Sequence, residues 1–395
     1  MNDTIRDVVF VDGVRTPFGK AGKLFEDTRA DDLIIRAIRT LLRRNPGLPP
    51  ERVDEVALAA TTQIGDQGLT LGRTAALLSG LPRSVPGYSI DRMCAGAMTA
   101  VTSVASAIAS RQYDIAIAGG VESMSNHPMG EGVDPNPRIV AERLVDPDAL
   151  QMGVTAENLH DLYPQLTRER ADAYAVQTQQ RYAAAVDKLA ADITTMAARS
   201  DEGWTIATGD ELPRPSTSME GLANLRTPFR PHGRVTAGTS SPNTDGATAC
   251  LLADAETAAE LGLPVAMRMV GFAFAGVDPE TMGVGPIPAT EKALARAGLT
   301  IDDIGLFEIN EAFAVQVLAF LDHFKIADDD PRVNPWGGAI AMGHPLASSG
   351  VRLMTQLARQ FAEHPEVRYG ITTMCVGLGQ GGTVIWENPN FKGAK

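Results

Sequence analysis

The chain has 395 residues and carries 35 Lys+Arg against 48 Asp+Glu, a formal net charge of −13. An apolar fraction of 44% with 21% charged residues excludes a disordered chain, and a pI near 5.0 argues against a general nucleic-acid binder or a protein drawn by its overall field to anionic membranes. Three cysteines, at 94, 250 and 375, are too few and too scattered for a disulfide framework or a four-ligand zinc site, so no metal is expected.

At roughly 150 residues per domain the length predicts two or three domains. Asp3, Arg6 and Asp7 stand where a secretory signal needs a basic end and an apolar run, and no stretch reaches the roughly 18 uncharged apolar residues of a spanning helix. A soluble, reducing, cytoplasmic setting with no membrane span is the expectation. Asp7 to Val11 reads as a buried strand, followed by the loop Arg15-Thr16-Pro17-Phe18-Gly19. Residues 31–44 have helical periodicity, with Leu33, Ile34, Ala37, Ile38 and Leu41 on one face. Val53 to Ala60 and Gly87 to Ile90 read as short strands, Thr99 to Ser110 as a small-residue helix, and Tyr113 to Ala118 as a strand entering Gly119-Gly120. Alternating strands and helices predict an α/β domain.

Residues 124–241 differ: they contain many Pro and Gly, few strand patterns and polar helical pieces such as 167–186, as expected of a loop subdomain inserted in the chain. Near its end Arg214, Arg226, Arg230, His232 and Arg234 share 21 residues with one acid, Glu220. Such a cluster is ordinarily a solvated surface, but its sign opposes that of the chain and marks a candidate anion site. Beyond it, Val53-Asp54-Glu55-Val56-Ala57-Leu58 resembles Ile301-Asp302-Asp303-Ile304-Gly305-Leu306 at an offset of 248, and nearly the same offset sets the turn at Cys94 opposite the turn at His344. Two related α/β halves, each with one reactive side chain near a helix start, are one expectation, and chance similarity between two α/β segments is the other.

Cys94 lies between a short strand and an Ala/Ser/Thr/Val helix, where unpaired N–H groups and the helix dipole favour a thiolate. A buried inert cysteine is the alternative. His344 sits in Gly343-His344-Pro345 behind a glycine-rich approach, whereas His127, His160, His232, His323 and His364 read as surface or structural. Gly377-x-Gly379-x-x-Gly382 matches a dinucleotide fingerprint literally, but a strand (Thr383 to Trp386) follows it and no βαβ unit remains, so its glycines are expected to bring backbone N–H groups near Cys375. Asn310-Glu311 stands at a strand-to-helix junction, suited to orienting water or to capping.

In this order, Cys94 in its turn, Asn310-Glu311-Ala312-Phe313, Gly343-His344-Pro345 and Cys375-x-Gly377-x-Gly379 resemble the thiolase family over almost the whole chain. Arg15-Thr16-Pro17-Phe18, Gly119-Gly120-Val121-Glu122-Ser123-Met124, Thr155-Ala156-Glu157-Asn158 and Met282-Gly283-Val284-Gly285-Pro286 agree with it. The resemblance implies a thiolase fold: two pseudo-repeated βαβαβαββ halves in a five-layer αβαβα core with a loop subdomain inserted in the first half. The halves would be 1–123 plus 242–268 and 269–395, with 124–241 inserted for CoA, oligomer and partner contacts. It implies cleavage of a 3-ketoacyl-CoA by coenzyme A, a co-substrate and not a resident cofactor. Cys94 would be the nucleophile, His344 its base and Cys375 the second acid/base. The N–H groups of Cys94 and Gly377 would hold one oxyanion, and His344 with a water on Asn310 the enolate oxygen. Met152, Ser241, Met282, Ala312 and Phe313 are assigned to CoA contact, and Arg214 and Arg226 to its phosphate end. His127 to Arg138 resembles the subgroup that forms the β subunits of bacterial trifunctional fatty-acid oxidation complexes. A homodimer is expected, with a hydratase/3-hydroxyacyl-CoA dehydrogenase α subunit as partner.

Some positions depart from the family pattern: Ala347 replaces a common glycine, Ala95 a serine or glycine, Thr239-Ser240-Ser241-Pro242 the usual Asn-Ala-Ser-Gly, and Gln151 a histidine of short-chain relatives. These touch pocket shape and chain-length preference. A short-chain acetoacetyl-CoA thiolase working toward condensation and a non-catalytic lipid carrier of the same fold are the alternative readings. A ketoacyl synthase would carry a histidine where Asn310 stands.

Overall fold

A computed structural model describes residues 5–200 and 203–393; Asp3 lies outside them. The opening apolar run becomes β1 (Val8–Arg15), buried on both faces and therefore central in a sheet. The other strands are β2 (Gly19–Lys20), β3 (Glu55–Ala59), β4 (Gly87–Ile90), β5 (Ile115–Ser123), β6 (Met196–Ser200), β7 (Gly203–Ala207), β8 (Thr244–Asp254), β9 (Met267–Gly276), β10 (Ile304–Ile309), β11 (Tyr369–Val376) and β12 (Gln380–Glu387).

Two strand sets share one topology. In the first, β3 runs parallel to β4 and β5, and β5–β8 and β8–β1 are antiparallel. In the second, β10–β11 is parallel, and β11–β12 and β12–β9 are antiparallel. A parallel bridge from Phe307 to Val333 stands where β4 stands beside β3. The sets meet only at Val9–Arg268 and Phe10–Met267, giving the order β10-β11-β12-β9-β1-β8-β5-β3-β4. The repeat legible at residues 53–58 and 301–306 is therefore a repeat of whole sheets.

Helices Gly96–Ala109 and Ser349–Glu363 lie back to back between the two sets, where Val101, Val104, Leu353, Met354, Leu357 and Phe361 form one core cluster with residues of both sheets. Helices Ala30–Arg44 and Leu71–Ser79 cover the outside of the first sheet, and Pro286–Ala297 and Ala314–Phe324 that of the second, completing five layers. Most residues of the central helices are buried, which is why small residues dominate the first of them. Inside the inserted segment, helices Met152–Leu162 and Arg168–Ala190 pack on Ala314–Phe324, and β6 and β7 form a separate hairpin. It is more regular than its Pro/Gly content predicts. Among the described residues no helix is long and apolar enough to cross a membrane.

Candidate active site

The site forms where both central helices begin. Cys94 sits in the turn Met93–Ala95 ahead of Gly96–Ala109, and His344 in the turn leading through Leu346–Ser348 into Ser349–Glu363; the two turns pack together. Met93 takes φ +43, a left-handed conformation rare for a non-glycine residue, with its N–H held by Asp91 at 2.6 Å. Cys375 ends β11 beside Cys94, and both thiols are buried. The backbone N–H groups of Gly377 and Cys94 point at the Cys94 sulfur. The glycine-rich run 377–382 is the bend between antiparallel strands β11 and β12, not a nucleotide loop.

Around His344 the hydrogen bonds fix one tautomer. Arg352 Nη2 donates to Asn310 Oδ1 at 3.0 Å, which turns the Asn310 amide nitrogen toward His344 Nε2, 3.2 Å away. An amide N–H2 only donates, so Nε2 carries the lone pair. On the other side Ser349 Oγ donates to the Pro345 carbonyl at 3.1 Å and accepts from His344 Nδ1–H at 2.6 Å. Gly343 sets the entry to this turn: its φ of +103, and Thr244 Oγ1 only 2.5 Å from where a Cβ would stand, leave no room for a side chain. Thr244 Oγ1 accepts from the His344 N–H and donates to the carbonyl of Pro242, so the departure at 242 is tied to the site. Ala347 donates its N–H to the buried Glu122 carboxylate, which also accepts from Gln67 and the Thr61 N–H.

Electrostatically the site is neutral at rest. Burial, with the Arg352 guanidinium adding to it, lowers the His344 pKa to about 3. Burial pushes the Cys94 thiol up to about 12 against the two N–H groups that favour its thiolate, and Cys375 is raised for the same reason, with Cys94 adding to it. A thiolate-favouring helix start, as its position predicts, is overcome by desolvation. Cys250, in the middle of β8, is buried away from this cluster.

Asn310 does not cap the following helix; Phe313 occupies that position. Glu311 anchors the inserted segment, accepting from Tyr174, Thr178, Asn334 and the Ile340 N–H, and does not face the thiols. Beside the site, the Ser241 N–H donates to the Ala312 carbonyl, Ser240 bridges Phe313, and Phe313 meets Phe229 edge-on at 6.4 Å between centroids. Phe229 fills the space next to Gly153, and Met152 reaches to within 3.4 Å of where a Gly377 Cβ would stand. Met282 is buried in the same apolar cluster. Within the basic segment Arg230 and Arg234 are spent on Asp161, an acid outside the segment, while Arg214 and Arg226 are exposed and make no ion pair among the described residues. Arg352, Glu308 and Ser349 were not apparent as site residues from sequence; the one signal, for Arg352, is the polar i, i+4, i+8 stripe Arg352-Gln356-Gln360 along its helix.

Fold and site together are those of an acyltransferase, with two buried thiols and a histidine where the central helices begin. Residues 8–256 match the model of the thiolase N-terminal domain and residues 263–388 that of the thiolase C-terminal domain. A 3-ketoacyl-CoA thiolase of Pseudoalteromonas translucida is 43% identical over 385 residues, covering 96% of this chain and 98% of that one. The 3-oxoadipyl-CoA/3-oxo-5,6-dehydrosuberyl-CoA thiolase of Escherichia coli is 41% identical, covering 97% of this chain and all of that one. Among solved structures, the acetyl-CoA acetyltransferase of Bacillus anthracis superposes with a TM-score of 0.87 at 34% identity, covering 98% of this chain and 100% of the other. The chain belongs to the thiolase family.

Proposed function

We propose that this protein cleaves 3-ketoacyl-CoA with coenzyme A, releasing acetyl-CoA and a shortened acyl-CoA in fatty-acid β-oxidation. The observation that carries the reading is a neutral His344, its Nε2 lone pair presented at the helix start that packs on the Cys94 turn, with a second thiol adjoining. Cys94 Sγ attacks the 3-keto carbon as its proton passes to His344 Nε2, whose lone pair gives up the 3.2 Å contact with the Asn310 N–H to receive it. The oxygen of the resulting tetrahedral adduct takes the N–H groups of Cys94 and Gly377. Its collapse breaks the C2–C3 bond, leaving acyl-Cys94 and an acetyl-CoA enolate whose oxygen faces protonated His344 and a water on Asn310. Cys375 S–H gives its proton to C2. The Cys375 thiolate then takes the proton of incoming CoA–SH, whose sulfur attacks acyl-Cys94, and His344 returns the proton to Cys94.

Met152, Ser241, Met282, Ala312 and Phe313 line the CoA path in this reading, and the unpaired Arg214 and Arg226 serve its phosphates. The protein works in the cytoplasm as a homodimer joined to a hydratase/3-hydroxyacyl-CoA dehydrogenase α subunit. Support for that partner comes from the segment after β5, which exposes Met129, Val133, Leu144 and Leu150. The curated relatives named above act on unlike acyl groups at nearly equal identity, so the acyl class is settled by assay. Cys94 is followed by intact-protein mass spectrometry with 3-ketoacyl-CoAs of 4 to 16 carbons and with 3-oxoadipyl-CoA. Straight-chain acyl adducts at Cys94, lost in Cys94→Ala and formed slowly in Cys375→Ala, are expected; robust turnover by either variant overturns the mechanism. Preference for C4 would give the short-chain reading, and absence of thiolysis the carrier reading.

A further inference from the structure

Arg352 is fully buried, at the fourth position of the central helix Ser349–Glu363. Its Nη2 meets Asn310 Oδ1 at 3.0 Å and its Nη1 meets Gln356 Oε1 at 2.9 Å. Glu308, two residues before Asn310 on β10, lies 3.5 Å from Nη1 and is also fully buried, accepting from Gln360 at 2.6 Å. The cluster is poorly satisfied: Arg352 Nε, Glu308 Oε2, Gln356 Nε2 and Gln360 Oε1 have no hydrogen-bond partner among the described residues. Burying an ion pair of this kind is weak as a stabilising device, and apolar or neutral replacements of such pairs are often no less stable. An incompletely bonded charge in the middle layer of the fold therefore calls for another reason.

The reason lies in the amide of Asn310. A carboxamide turned over by 180° presents nearly the same shape with donor and acceptor exchanged. In the flipped state Oδ1 would face His344 Nε2 and favour the tautomer that is protonated there, which cannot take a proton from Cys94. A fixed cation on the far side of Asn310 excludes that state, because it accepts nothing and must meet Oδ1.

Resting on the thiolase reading, we propose that Arg352 is a positioning residue that acts through Asn310: it locks the amide with its N–H2 toward the reacting side, and thereby fixes which nitrogen of His344 is the base. Glu308 serves as the counterion that keeps the guanidinium in place. The stripe Arg352-Gln356-Gln360 is thus a buried polar spine running from the site along the helix.

The test uses the full-length protein with Arg352→Met and Glu308→Gln combined, so that no buried charge is left unpaired, and Arg352→Lys beside it. Wild type must first turn over a 3-ketoacyl-CoA; failure there removes the thiolase reading itself. Given turnover, the double variant is expected to keep its melting temperature, to hold KM within about threefold, and to lose about 10²-fold in kcat, the scale of a misplaced catalytic group. Arg352→Lys, which restores a cationic donor, recovers part of that loss. In an Asn310→Ala background the same double substitution lowers kcat by less than about threefold, since the group it acts through is gone. A double variant with kcat within threefold of wild type overturns the proposal. So does a loss of kcat that multiplies fully with that of Asn310→Ala, or one accompanied by a matching fall in melting temperature.

Discussion

Whether the nucleophile is ionised before substrate arrives follows from the two ends of its proton transfer. The His344 pKa lies at about 3 and that of Cys94 at about 12, both displaced chiefly by burial. Burial disfavours the charged form at both ends, so the neutral thiol–imidazole pair is the resting state. In the mechanism proposed above the proton therefore leaves Cys94 only as the carbon–sulfur bond forms, when the developing oxyanion takes up the N–H groups of Cys94 and Gly377. Raising the pH of the free protein tests this directly. Alkylation by iodoacetamide, quantified on the Cys94 peptide by mass spectrometry, consumes thiolate alone, so its rate rises about tenfold per pH unit from 6 to 10 without levelling. A plateau with an apparent pKa near 7, or thiolate absorbance that titrates below pH 9, would refute the reasoning by showing a preformed ion pair.

The same buried imidazole shapes stability. Its folded pKa lies below the ~6.5 of free histidine, so the neutral form's contribution is complete above about pH 6.5 and is lost as pH falls toward 3. In urea unfolding, His344→Asn is expected to lessen the stability drop between pH 7.5 and pH 5 by ~2 kcal/mol; an unchanged drop contradicts it. Gly377→Ala puts a methyl 2.5 Å from Met93 Sδ and displaces the N–H aimed at Cys94, and a kcat loss of about 10²–10³-fold with normal folding is expected by stopped-flow thiolysis. Ser349→Ala removes the acceptor of His344 Nδ1–H, worth ~1–3 kcal/mol when buried, and steady-state assays should show kcat down by about 5- to 150-fold.

Much of this was legible in the chain because the reactive groups sit in short local frames. Cys94, His344 and Cys375 each stand beside glycines or at a helix start, and such frames are written in consecutive residues. The alternation around residues 53–58 and 301–306 likewise disclosed two halves, since a strand's pattern survives where its surroundings repeat. What supports the frames was hidden. Arg352, Gln356 and Gln360 fall at helical spacing, and polar residues so spaced fit a solvent face as well as a buried one; the helix that carries them is buried between two sheets. Periodicity reports which residues share a face and not what that face meets. The neutralisation of part of the basic cluster near residue 230 was out of sight for a related reason: Asp161, the partner of Arg230 and Arg234, is about 70 residues away in sequence. The fate of Glu311, tied to Tyr174 and Thr178, was equally out of reach of a local pattern.

The two halves explain why one site needs both. Each central helix starts next to its own sheet, and back-to-back packing brings those starts together without any long loop. Aligned by their first residues, Gly96 and Ser349, the helices set Thr99 opposite Arg352 and Ser103 opposite Gln356. In the first half these positions stay small: Thr99 satisfies its hydroxyl on the Ala95 carbonyl at 2.8 Å, within its own helix. In the second half they carry a guanidinium that reaches across to the neighbouring strand at Asn310. A nucleophile needs only a turn and two backbone N–H groups, one from the helix start at Cys94 and one from the β11–β12 bend at Gly377. A base needs a chosen tautomer, and backbone groups on one side of the ring do not exclude a flipped amide on the other. The asymmetry between Thr99 and Arg352 therefore matches the division of labour, with the simple half holding the thiol and the half with the buried charge orienting the histidine.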